Sequence, residues 1–141
     1  MLTGKTYPLS RGVRDLPKLI GGPGTYCIIS VEKSRQPKRV HRVGAIDKHG
    51  IVYIGRSGNL RSRLRVLQNM LYRGAASGHI AGHHYRASKV LQSVFPRHTL
   101  YFRFKHCNSK VEAIKTEFKL LGRYCKRFGE VPPLNTNGAL I

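Results

Sequence analysis

Apolar and polar positions recur along this chain in short stretches of two different periods, and these predict its elements. The run from Thr25 to Val31 is β-branched and aromatic and predicts a strand. A polar loop from Glu32 to Lys38 follows, then a second candidate strand from Arg39 to Ile46. Asp47-Lys48-His49-Gly50 predicts a turn, with glycine supplying a positive φ, and Ile51 to Ile54 the return strand, ended by Gly55. Leu60, Leu64, Leu67 and Leu71 step at helical spacing, so a helix is predicted from a cap at Ser57 or Asn59 to about Tyr72. Gly74 and Gly78 break it, and the segment from Gly74 to His84 carries no assigned element. Ala87, Val90, Leu91, Val94 and Phe95 predict a short second helix stopped by Pro96. Leu100, Phe102 and Phe104 alternate with Tyr101, Arg103 and Lys105, which predicts a strand with one buried and one basic face. A third helix is expected from a cap at Asn108 or Ser109 to about Phe128, ended by Gly129, before the extended turn Pro132-Pro133-Leu134-Asn135. Residues 1–23, punctuated by Pro8, Pro17 and Gly21-Gly22, read as a loop-like extension. This order predicts a single α+β domain, 1–141, with a small, mainly antiparallel sheet.

Composition changes this picture in one respect. The 141 residues include 26 lysines and arginines against six acidic residues, a formal net charge of +20. Nucleic acid is the natural polyanionic partner for such a chain, and an anionic membrane surface is the weaker alternative because no long basic amphipathic helix stands out. The basic residues are interleaved with apolar ones, as in a folded protein and unlike a disordered basic tail. Cys27, Cys107 and Cys125 form no Cys-x-x-Cys pair and are odd in number, which argues against a structural zinc site or a disulfide framework. With no apolar run resembling a signal peptide or a membrane span, an intracellular location is expected, cytoplasmic or nucleoid-associated.

Candidate chemistry gathers in two tripeptides, Gly24-Thr25-Tyr26 and Tyr53-Ile54-Gly55, followed by Asn59-Leu60-Arg61-Ser62-Arg63-Leu64. At about 100° per residue, the first helix buries an arc centred on Leu60, Leu67 and Leu71, and Arg63 lies roughly 60° from that centre. A guanidinium at this edge lies against the sheet while its fork reaches a phosphate. Arg61 and Arg65 point further outward. On the last helix, Val111, Ile114, Phe118, Leu121 and Cys125 are expected to form the buried arc, which leaves Glu117 at its edge and Glu112 nearly opposite. The acidic inventory is only Asp15, Glu32, Asp47, Glu112, Glu117 and Glu130, with no cluster, so one metal on one carboxylate is the economical arrangement for phosphodiester hydrolysis.

The two tripeptides, the helix start with Arg63, Glu117 and Asn135 together resemble the GIY-YIG nuclease superfamily over roughly residues 24–135. The resemblance implies a three-stranded antiparallel sheet flanked by helices, and DNA strand cleavage with one divalent metal, usually magnesium. It implies catalytic roles for Tyr26, Tyr53 and Arg63, metal binding by Glu117, and a supporting role for Asn135. Two departures stand out. Thr25 replaces an aliphatic residue, and Leu67 stands one turn after the arginine, where the family often has His or Tyr. A histidine role would therefore come from elsewhere. His79, His83 and His84 cluster before the second helix, and of these His84 is the candidate for contacting the scissile phosphate or assisting proton transfer.

The reading is thus a magnesium- or manganese-dependent DNA endonuclease, with Arg61, Arg65, Arg86, Lys89, Arg103 and Lys105 as candidate DNA-binding residues. The alternatives are a non-cleaving nucleic-acid-binding protein on the same scaffold and a basic structural protein such as a ribosomal component. One site per chain would require a homodimer for concerted cutting of both strands.

Overall fold

The computed structural model describes residue 2 and residues 4–11, 21–75 and 78–135; Asp15 and Pro17 lie outside the described residues. Four antiparallel strands form the central sheet in the order β1 (Tyr7–Pro8), β6 (Leu100–His106), β2 (Gly24–Ser30) and β5 (Ile51–Ser57). The fold is α+β, as the order of elements predicts. The sheet has one strand more than the three implied by the resemblance. The two-residue β1, inside the segment read as loop, pairs with Tyr101 and Phe102 of β6. No periodicity can register in two residues, so β1 is visible only through its partner.

β2 runs down the middle of the sheet and is buried along its whole length. Its alternate residues serve two cores. Tyr26 and Ile28 face α1 (Leu60–Tyr72) and α2 (Ile80–Ala87), together with Leu60, Leu64, Leu67, Phe102 and Leu134. Cys27 and Ile29 face α4 (Lys110–Phe128), where Leu120, Leu121, Tyr124 and Phe128 cover them. Between β2 and β5 the register slips by one residue. Ile28 pairs with Tyr53 but Ile29 pairs with Ile51, so Val52 is extra. As a result Val52 and Tyr53 both pack with the α1 core, while Ile51 and Ile54 both pack with the α4 core.

The predicted strand from Arg39 to Ile46 is instead a small separate hairpin, β3 (Val40–His41) and β4 (Ile46–Asp47). The turn after it is as expected, with Gly50 at φ +68° packed close to the backbone of Ser30 and Lys38. The unassigned stretch holds α2, and a break at Ser88 separates it from α3 (Lys89–Val94), which is shorter than the predicted second helix. Ser88 ends one helix and caps the next, its hydroxyl accepting from Leu91 N–H.

α4 begins and ends where its sequence says it should. Ser109 caps it, and Gly129 closes it at φ +80°. Its phase does not follow the prediction. Val111, Ile114 and Phe118 are exposed, and the buried stripe is Ala113, Leu120, Leu121, Tyr124 and Phe128, roughly a quarter turn away. Glu117 therefore lies within the buried stripe and not at its edge.

Candidate active site

Cross-strand geometry brings the two tripeptides together. Tyr26 stands opposite Gly55, and Tyr53 opposite Ile28, so the two tyrosines are diagonal neighbours on one face of the sheet. Their ring centroids are 5.9 Å apart. Each tripeptide glycine makes room for a specific neighbour. A Cβ on Gly55 would lie 2.6 Å from Tyr53 Cε1 and 2.8 Å from Tyr26 Cζ, so any side chain there would displace a phenol. A Cβ on Gly24 would lie 2.5 Å from Leu60 Cδ1 and equally close to the Lys105 carbonyl, so this glycine lets the start of α1 sit down on the sheet. Asn59 caps α1 by accepting from Ser62 N–H, which sets the phase that turns Arg63 toward the tyrosines.

A cavity of about 170 Å³ opens there, lined by Tyr26, Tyr53, Arg56, Arg63, His79, Ile80 and Glu117. Four of the predicted site residues thus meet at one place. Arg63 is half-buried and donates to the Gly78 carbonyl at 3.4 Å. Glu117 is met by Arg56, with Nε and Oε1 3.5 Å apart. Asn135 lies just behind. Its amide accepts from Ile54 N–H at 3.0 Å and donates to Ile54 C=O at 2.9 Å, pairing the outer edge of β5 as another strand would.

Burial dominates the electrostatics. It raises Tyr26 well above the ordinary phenol value, with the Tyr53 charge adding and Arg63 opposing. Burial likewise raises Tyr53, with Glu117 adding and Arg63 opposing. Hydrogen bonding between the two tyrosines pushes Tyr26 up and Tyr53 down. Glu117 is raised by burial, partly offset by Arg56.

The histidine that joins the tyrosines is His79, not His84. His79 Nε2 is 2.7 Å from Tyr26 Oη, and its ring packs against Tyr53 at a centroid distance of 5.3 Å. Burial and the charge of Arg63 lower it to about 4, so it is neutral near pH 7. His84 is one turn further along α2, and its Nδ1 lies 3.3 Å from the Leu134 carbonyl, away from the cavity lining. Leu67 is buried in the core, so that position supplies no polar group to the site. His79 went unrecognised because it caps a helix that has no periodic signal of its own, and histidine is not a favoured cap. Arg56 was also missed. The one pointer to it was its place directly after Tyr53-Ile54-Gly55.

The candidate DNA-binding residues do not share one face. Arg61 and Arg65 lie on α1, Arg86 at the end of α2 and Lys89 on α3. Arg86 donates to the Ala75 carbonyl. Arg103 is half-buried, donating to the Leu2 carbonyl at 3.1 Å. Lys105 lines a separate groove of about 660 Å³ on the α4 side with Lys115, Lys119 and Arg123.

The other described carboxylates are accounted for elsewhere. Asp47 and Glu130 are bound into loops and strands, Glu112 accepts from Asn108 N–H at the start of α4, and Glu32 is on an exposed loop. Among the described residues no group of three or more His, Cys, Asp or Glu side chains converges. That donor set does not suit zinc. It fits a hard cation that takes one carboxylate from the protein and completes its shell with water and phosphate.

An α+β domain with two tyrosines, an arginine and a glutamate around one small cavity belongs to the nuclease type. The family described as GIY-YIG domain-containing protein matches residues 4–131, and the chain belongs to it. No curated protein and no solved structure is matched. Among the described residues no helix is long and apolar enough to cross a membrane.

Proposed function

We propose that this chain is a divalent-metal-dependent DNA endonuclease that hydrolyses phosphodiester bonds by a one-metal mechanism. The observation that carries this reading is the convergence of Tyr26, Tyr53, Arg63 and Glu117 on one cavity, with Glu117 the sole carboxylate in its lining among the described residues. Glu117 would hold magnesium or manganese, and the bound ion supplies charge neutralisation at the scissile phosphate. Arg63 directs its guanidinium at the charge that gathers on the phosphoryl oxygens. Tyr26 and Tyr53 position the attacking water and take part in its deprotonation. Both phenols are neutral at pH 7, and Arg63 eases the loss of a proton from either. Asn135 keeps β5, and with it Tyr53, in place. The net charge of +20 draws the polyanionic substrate to exposed cations such as Arg65 and Lys89. The substrate implies an intracellular site of action, and a homodimer would cut both strands in concert.

The test is incubation with supercoiled plasmid, with magnesium, manganese or EDTA, beside Glu117→Ala and Arg63→Ala. Metal-dependent relaxation by the wild type and its loss in both variants is the expected outcome. A wild type that shifts the plasmid on a gel but leaves it intact in every metal identifies a binding module instead. Cleavage unchanged in both variants would sink the site assignment.

A further inference from the structure

His79 makes two hydrogen bonds, and the first determines the second. Its Nδ1 lies 3.0 Å from Ala81 N–H, which it caps, so Nδ1 carries no hydrogen. In a neutral imidazole the hydrogen is then on Nε2, and Nε2 is 2.7 Å from Tyr26 Oη. The bond therefore runs from histidine to phenol. A hydroxyl has one hydrogen and accepts through its lone pairs, so the hydrogen of Tyr26 cannot also point at His79. It is left to point elsewhere in the cavity, which Tyr53, 5.9 Å away between ring centroids, also lines.

We propose that His79 is a positioning residue. Held as its Nε2–H tautomer by the cap of α2, it donates to Tyr26 Oη and fixes the direction of the Tyr26 hydroxyl before substrate arrives. The proposal rests on the nuclease reading of the site for its kinetic consequence, though not for its hydrogen bonds. Several observations agree with it. The ring is buried, so water does not compete for either nitrogen. Arg63, which lines the same cavity, disfavours a protonated ring, which would donate from both nitrogens and lose the cap. A donor aimed at a phenol oxygen becomes stronger as negative charge develops there, so it acts on the transition state more than on substrate binding. The cap and the catalytic alignment also become one device, because the α2 N-terminus selects the tautomer that Tyr26 needs.

Two substitutions separate the two bonds. Asparagine places its carbonyl oxygen where Nδ1 stood but does not reach Tyr26, so His79→Asn keeps the cap and loses the donor. Glutamine places an amide nitrogen where Nε2 stood, so His79→Gln keeps the donor and loses the cap. His79→Asn is expected to hold the wild-type Tm, lower kcat by about a hundredfold and leave KM unchanged. His79→Gln is expected to have a lower Tm and to recover most of kcat. Full activity in His79→Asn, or equal losses in both, would overturn the proposal. Nitrogen-15 NMR of the imidazole decides the tautomer without any cleavage assay. The expected spectrum at pH 7 has a protonated Nε2 and an unprotonated Nδ1, and a protonated Nδ1 overturns the proposal. If the wild type cleaves nothing, the nuclease reading fails and NMR alone decides. A slowly exchanging Tyr26 hydroxyl proton, lost in His79→Asn and kept in His79→Gln, supports the positioning. The same signal unchanged in both variants refutes it.

Discussion

Asp47 packs against α4 and Glu117 lies on it, and both are near tyrosines, yet their surroundings differ. Asp47 is fully buried. It accepts from His49 N–H at 2.8 Å, from Ile51 N–H at 3.1 Å and from the Tyr124 hydroxyl at 3.0 Å. Its bonding capacity is largely spent on holding the hairpin and the start of β5 to α4. Glu117 lies on the same helix stripe as Tyr124, about two turns earlier. It opens on a cavity and is met by one arginine at 3.5 Å. The difference teaches what separates a structural carboxylate from a candidate catalytic one in this fold. Both are withdrawn from solvent, Asp47 fully and Glu117 in part, and the spare valence facing open space belongs to Glu117.

Substitutions can break this contrast, and the largest effect belongs to Glu117. Glu117→Gln should lower plasmid cleavage by at least about a hundredfold, as loss of a principal electrostatic group does. It should not lower the Tm at neutral pH. The folded-state pKa of Glu117 is raised by burial, so its ionised form costs stability above that value. The variant should melt slightly above the wild type at pH 7, and the gap should close as pH falls through the folded-state value. Denaturation scans from neutral to mildly acid pH would show a reversed trend if the carboxylate were stabilising.

Asp47→Ala should do the opposite. It strands a buried amide, a part-buried one and a buried phenol, and a loss of roughly 3 kcal/mol is expected in urea unfolding, or about 10 °C in Tm. Cleavage at temperatures well below the new Tm should persist. Loss of activity without loss of stability would place Asp47 in the chemistry and erase the contrast.

Gly55→Ala tests whether the cavity depends on the fit of its two phenols. With a Cβ less than 3 Å from both rings, a cost of about 1–3 kcal/mol and a drop of at least about tenfold in cleavage are expected. The smallest effect should come from Arg65→Ala, an exposed position on α1. DNA binding should weaken modestly, with the salt-dependence slope reduced by about 1 when titrated against ionic strength.

Much of this arrangement was legible in the chain. The ends of α4 follow from Ser109 and Gly129, and the α1 leucine spacing turns Arg63 to the edge where the structure places it. Glu117 lines the cavity, but from the middle of the buried stripe and not from its predicted edge. Val111, Ile114 and Phe118 are apolar and predict the core face, yet all three are exposed. The true stripe runs through Glu117 itself, which hydropathy scores as surface. His79 and β1 were not legible because their placement depends on tertiary partners, Tyr26 and β6, far along the chain.

The extra residue in β5 is a correction of parity. Strand residues alternate strictly, so a residue two places from a core-facing position also faces that core, and one three places away does not. Ile51 and Ile54 are three apart, yet both meet α4, and Tyr53 still meets Tyr26. Only an odd insertion reconciles these demands. Removing Val52 would leave Ile51, Tyr53 and Ile54 in strict alternation, with both isoleucines still facing α4 and Tyr53 still beside Tyr26. The bulge therefore adds one side chain to the α1 core without changing which way the paired phenols face.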